Sequence, residues 1–143
     1  MQVKDVLINS PRDAVPLLNG YSCKKQEYFG IICLNGGRKT ISRDLLFIGG
    51  ASHCDIDEKV LFWNVARRQP SGVILFHNHP SGNPSPSDAD VCTTKQIFKG
   101  LELLGIQLLD HVIITRYEYF SFLEHDMLPI ADTQNCVKSW RLV

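Results

Sequence analysis

The sequence predicts an α/β or α+β sandwich in which helices cover a mixed sheet. Helical segments stand before, between and after the strand-like runs along the chain. A hairpin signal joins the first two of those runs. Continuous apolar stretches such as Gly72-Val73-Ile74-Leu75-Phe76 have the length and composition of strands buried on both faces.

Each element has a local reason. Ser10-Pro11 is a helix start, with Ser as cap and Pro in the first turn, and 13–19 forms a short helix ended by Gly20. Segments 27–34 and 40–48 read as strands joined by the turn Asn35-Gly36-Gly37-Arg38. The first is apolar on both alternating faces, which predicts a central strand with Glu27 at its entrance. Gly49-Gly50 breaks the second strand. Asp57 caps or opens a helix carrying Val60, Leu61, Trp63, Val65 and Ala66, closed by Pro70-Ser71-Gly72. After the strand from Gly72 comes a helix over 87–104. Its stripe of Val91, Thr94, Ile97, Phe98, Leu101 and Leu104 is a core face rather than a cofactor surface. Strands over 106–115 and 117–122 complete the order. The expected division is one domain over 1–130 and a weakly patterned tail over 131–143, either loosely attached or bound to a neighbour, in which Trp140 is a candidate packing anchor.

Composition bounds the function. At 143 residues, with 44% hydrophobic and 21% charged residues, the chain can bury a core without covalent staples. No apolar run approaches the ~20 residues that span a bilayer, and the N-terminal residues resemble no secretory leader. The five cysteines are odd in number, scattered and without a C-x-x-C pair, as suits reduced thiols. His53-Cys54 is an incidental pair that nothing nearby completes. The expected compartment is therefore cytoplasmic, with no membrane partner. Fifteen basic and fifteen acidic side chains cancel, so the net charge gives no support for nucleic acid as a partner.

The chemistry concentrates in the run from His77 to Asp90. Residues two apart on a strand share a face, so His77 and His79 project together while Asn78 faces away. Pro80, Gly82, Pro84 and Pro86 then exclude helix and ladder and make a stiff loop. Ser87 is a helix cap, which puts Asp90 in the first turn with its carboxylate able to swing back toward the strand. Asp88 is the rival acid, but two residues on a helix are about 200° apart, so only one can face the histidines. Two imidazoles and a carboxylate hold zinc with a fourth position open to water, a hydrolytic rather than structural arrangement. Ser87 and Asp90 also spell a capping box, under which the acid only closes a helix end.

The spacing H-x-H-x10-D, with Pro80 after the second histidine and Ser87 three before the acid, resembles the JAMM motif of JAB/MPN metallopeptidases. More narrowly, His77-Asn78-His79-Pro80-Ser81-Gly82 with Leu109-Asp110-His111-Val112-Ile113-Ile114 resembles the RadC family of bacterial proteins, from about Val15 to Leu123. The resemblance implies a three-layer fold similar to cytidine deaminases. It implies zinc ligation by His77, His79 and Asp90, and a role for Ser87 in holding the reacting oxygen. It also implies a general base at Glu27, with Glu58 as competitor, although Glu58 has an ordinary explanation as a helix-start acid. Asp110-His111 interrupts an apolar strand. It is either support or substrate contact near the metal, or a satisfied polar pair in the core. Longer members of the family carry an N-terminal helical, DNA-binding-like region, and this sequence is expected to be a short form without it.

The resulting expectation is a zinc-dependent peptidase acting on a peptide or protein substrate at a peptide or isopeptide bond. The alternative is a metal-stabilised module in DNA repair or mobile-element biology without peptidase activity. An HNH nuclease spreads its signature over a longer unit than His77-Asn78-His79. A non-haem iron facial triad belongs to β-rich folds. A base deaminase needs a cysteine pair and an H-x-E absent from the sequence.

Overall fold

The structure, a computed structural model, describes residues 3–51 and 54–131. The expected tail beyond Ala131, with Trp140, lies outside the described residues, as does His53 of the His53-Cys54 pair. The elements follow the predicted order. They are α1 (Pro11–Leu18), β1 (Tyr28–Leu34), β2 (Thr40–Ile48), α2 (Glu58–Arg68), β3 (Gly72–Asn78), α3 (Asp88–Leu103), β4 (Gln107–Ile114) and β5 (Tyr119–Ser121), with a short 3-10 turn Asn19–Tyr21 after α1.

The continuous apolar run at 72–76 is accounted for by its place. β3 is buried at every position and lies in the middle of a five-stranded sheet ordered β2-β1-β3-β4-β5. It pairs antiparallel with β1 and parallel with β4, and β2 and β5 close the edges antiparallel. The sheet is therefore mixed, as expected. The parallel β3–β4 pair requires a crossover, and α3 supplies it.

Each sheet face carries its own core. On one face Ile32, Leu34, Ile74, Phe76, Val112 and Ile114 pack under Ala14, Leu17 and Leu18 of α1. On the other, Phe29, Ile31, Cys33, Val73 and Leu75 meet Leu61 and Val65 of α2 and Ile97 and Leu101 of α3. Helices thus cover both faces of the sheet, and the alternation of strand side chains decides which core each residue joins.

Two local expectations, the reach of the α3 stripe and the closure of α2, need correction. Leu104 does not continue the buried stripe of α3. It is the C-cap and is 48% exposed, because the helix ends at Leu103 and Gly105 turns the chain with φ 71°. Trp63 is 63% exposed and stacks with the Arg67 guanidinium, since α2 turns Leu61 and Val65 inward instead. α2 is closed by Gln69 in the left-handed region, φ 50°, one residue before the expected Pro70. Asp57 caps its start as anticipated, accepting a hydrogen bond from the Lys59 N–H. Among the described residues no helix is long and apolar enough to cross a membrane.

Two measurements probe this packing. A Cβ at Gly30 would overlap the Asp44 carbonyl oxygen on β2 and lie 2.5 Å from Phe76 Cζ. Gly30→Ala is expected to lower stability by about 1–3 kcal/mol in chemical denaturation, and an unchanged midpoint would contradict the β1–β2 packing described. Burial pushes the Cys33 thiol up to about 11, against a hydrogen bond with Ser42 that lowers it. Alkylation of native protein at neutral pH should therefore modify the exposed Cys23 and Cys92 and spare Cys33 until the sheet unfolds.

Candidate metal centre

The β1–β3 ladder places the strand-borne groups. Phe29 pairs with His77 in antiparallel register. Glu27, two residues before Phe29, therefore arrives beside His79, two residues after His77, on the same face. The Glu27 backbone is pinned on its other side by bonds of 2.9 and 2.8 Å with Gly50 and Gly49. Within this group one ligating atom each from Glu27, His77 and His79 lies within 4.8 Å of the others.

The acid arrives from α3. Ser87 caps that helix, its Oγ accepting from the Asp90 N–H at 3.1 Å while its own N–H donates to Asp90 Oδ2 at 2.9 Å. This capping box does not compete with a role at the histidines, because it orients the carboxylate toward them. Asp90 Oδ1 lies 3.4 Å from His77 Nε2, and Oδ2 lies 3.1 Å from His79 Nε2. The two Nε2 atoms are 2.9 Å apart. Glu27 Oε1 stands farther back, 3.9 Å from His79 Nε2. Geometry alone thus offers two acids to the histidine pair, and Asp90 is the nearer. Asp88 is exposed on the first turn of α3, as is Glu58 on that of α2, and neither belongs to the group.

The protons reveal what the site is suited to hold. His79 Nδ1 lies 2.8 Å from the Asn83 carbonyl oxygen. A carbonyl only accepts, so Nδ1 carries the proton and the neutral ring presents a bare Nε2 to the centre. A bare imidazole nitrogen facing a second imidazole and a carboxylate at contact distance is a set of converging lone pairs. A divalent cation satisfies such a set, and nitrogen and carboxylate ligands suit zinc. Without a cation, protons must do so. Burial raises the Asp90 carboxyl, but its contacts with the His77 and His79 rings outweigh it and hold the group far below the usual carboxylate range. Burial likewise lowers His79, and its bonds to Asp90 and the Asn83 carbonyl reverse that and raise it.

Asn78 and Thr94 were not assigned from the sequence to the roles that they fill. Asn78, fully buried on the opposite face, accepts from the Tyr28 N–H at 2.6 Å and donates to the Gln26 carbonyl at 2.9 Å. It grips the residues on either side of Glu27. A buried amide at the end of an apolar strand must find partners, and that signal was available in the sequence. Thr94 read as one position of an apolar stripe, yet its hydroxyl bonds the Asp90 carbonyl and the His111 ring, each at 2.7 Å. His111 in turn lies 2.8 Å from His77 Nδ1.

The Asp110-His111 pair therefore divides its roles. Asp110 is a satisfied core acid that accepts from the His111 and Leu123 N–H groups and from the Ser121 hydroxyl, tying β4 to β5. Burial raises its carboxyl despite those bonds. His111 is the member that touches the site, and burial lowers its imidazole well below the ordinary value, with the neighbouring His77 adding to the effect.

Two clefts of similar size stand out among the described residues. One of about 270 Å³ lies over the centre, lined by Glu27, His79, Pro80, Asn83 and Ser87. The other, of about 260 Å³, sits at the start of β4 among Ile8, Ile74, Leu108 and Leu109 and, among the described residues, gathers no cluster of ligating groups. Chemistry, not size, distinguishes the first.

Known proteins agree with this architecture. The profile of the RadC-like JAB domain matches residues 8–127. A UPF0758 protein of Listeria innocua is 36% identical over 122 residues, covering 85% of this chain and 54% of the relative. One from Alkaliphilus metalliredigens is 38% identical over 128 residues, covering 89% of this chain and 55% of the relative. The chain spans about half the length of these curated relatives. With helices on both faces of a mixed sheet and acids meeting paired histidines at its centre, the chain belongs to the RadC-like JAB domain family.

Proposed function

We propose that this domain is a zinc-dependent hydrolase of the JAMM kind that cleaves a peptide or isopeptide bond in a peptide or protein substrate. The observation that carries the reading is the convergence of His77 Nε2, His79 Nε2 and the Asp90 carboxylate, with Glu27 beside them and a cleft open above. His77, His79 and Asp90 would hold the metal. Bound there, zinc supplies Lewis-acid polarisation of a carbonyl and acidifies water toward a pKa of ~7.

The remaining chemistry falls to the chain's own groups. Glu27 is 7% exposed and stands back from the histidines, as a base rather than a ligand should. Its carboxylate takes the proton of the attacking water and delivers it to the leaving nitrogen. Asn78 keeps that carboxylate in place by fixing Gln26 and Tyr28. Ser87 uses one lone pair of Oγ to cap α3, which leaves its O–H free to donate to the developing oxyanion. Loss of such a donor typically costs about 10²–10³ in rate.

Metal analysis of protein purified without added metal is the direct test. The parent should carry stoichiometric zinc, and His77→Ala and Asp90→Ala should each lose it. Zinc retained by both variants would remove the ligand assignment. Glu27→Gln should keep its zinc while peptide hydrolysis falls by about 10²–10⁴, the usual contribution of a positioned base. Undiminished hydrolysis in that variant would move the role elsewhere.

A further inference from the structure

His77 and His79 face one centre but lie in different surroundings. His79 stands at the mouth of the loop, where the Asn83 carbonyl fixes its proton. His77 is 3% exposed inside the sheet, where ladder bonds occupy the backbone carbonyls. Its Nδ1 meets another side chain instead, His111 Nε2 at 2.8 Å. A contact between two imidazoles leaves the proton's side undecided until the rest of the chain of bonds is followed.

That chain ends on a group with only one possible role. The Asp90 carbonyl oxygen accepts and cannot donate, so the Thr94 hydroxyl proton must lie on the 2.7 Å contact between them. Its single proton spent, Thr94 Oγ1 can only accept from His111 Nδ1, also at 2.7 Å. His111 therefore carries its proton on Nδ1. Its ring is fully buried between Phe29 and Phe122, with centroids 5.7 and 4.7 Å away, where a charged imidazolium would be desolvated. A neutral ring holds one proton, so His111 Nε2 is bare and His77 Nδ1 must be the donor. What is left at the centre is an unprotonated His77 Nε2.

We infer that His111 and Thr94 are positioning residues that fix the tautomer of His77, leaving its Nε2 lone pair free for a cation before one arrives. The inference rests on the reading of His77 as a metal ligand and extends it. The three bonds run in one direction because their last acceptor is a carbonyl. That carbonyl belongs to Asp90, so the residue whose carboxylate faces His77 also sets, through its backbone, which nitrogen His77 offers. Reversal would put the proton on His77 Nε2 and close the ring to metal.

The test needs no substrate. Long-range proton–nitrogen correlation on metal-free protein labelled at the histidine rings, in mildly alkaline buffer, should show His77 and His111 both protonated at Nδ1. Thr94→Val removes the hydroxyl at nearly constant volume and frees His111 to hold its proton on Nε2. The His77 tautomer should then shift, and zinc affinity measured by chelator competition should fall about 10–100-fold. Thr94→Ser restores the hydroxyl and should return both readouts to the parent values. A parent with His77 protonated at Nε2 overturns the relay. So does Thr94→Val with an unchanged tautomer, even if affinity falls, because that outcome assigns Thr94 to packing alone. A parent that binds no zinc would overturn the metal reading instead, while the tautomers of the metal-free protein still decide the relay.

Discussion

In the β1–β3 ladder Phe29 stands opposite His77, and that pairing brings Glu27 to the histidines. A slip of one residue would turn Glu27 to the α1 side of the sheet while His77 and His79 stayed on the other. Register is strongly specified here because both faces are buried. Phe29, Ile31 and Cys33 feed one core while Ile32 and Leu34 feed the other, so a slip would exchange them. The energetic weight holding Glu27 near the histidines is thus mostly hydrophobic and lies several residues away from the chemistry.

Polar bonds refine what the cores impose. Asn78 seals the end of the β1–β3 pair from one face, and the His111–Thr94 chain braces His77 from the other. Each group in these networks is buried and partnered, the condition under which a polar network rigidifies a core instead of weakening it. The helix-capping bonds of Ser87 and Asp90 extend the same economy, since one pair of side chains both starts α3 and aims an acid.

Much of this was legible in the sequence because the relevant signals are local. Strand-length apolar runs, the turn Asn35-Gly36-Gly37-Arg38 and the Ser87 cap each act within a few residues, and element order followed from them. The convergence of His77, His79 and Asp90 was also within reach, since a short stiff loop separates the two ligand-bearing elements. Glu27 was different. Its approach depends on pairing between strands about fifty residues apart, and the sequence alone gave no reason to prefer it to a solvated charge; family resemblance did. Thr94 and His111 were harder still. Their meeting requires the register of β4 on β3 and the rotation of α3 over both, and neither periodicity nor composition encodes those. Asn78 is legible in the sequence, because an amide at the end of an apolar strand must find hydrogen-bond partners when buried.

His79 owes its proton position to the Asn83 carbonyl, which is a main-chain atom. Any residue at that place can supply it. Ser81 Oγ and Asn83 Oδ1 accept from the Asn83 and Ser85 N–H groups and shape the loop that presents this carbonyl, whereas the exposed Ser85 side chain at the mouth of the cleft makes no such bond. A change of side chain at that rim position alters what the cleft presents to solvent while the carbonyl that orients His79 stays in place.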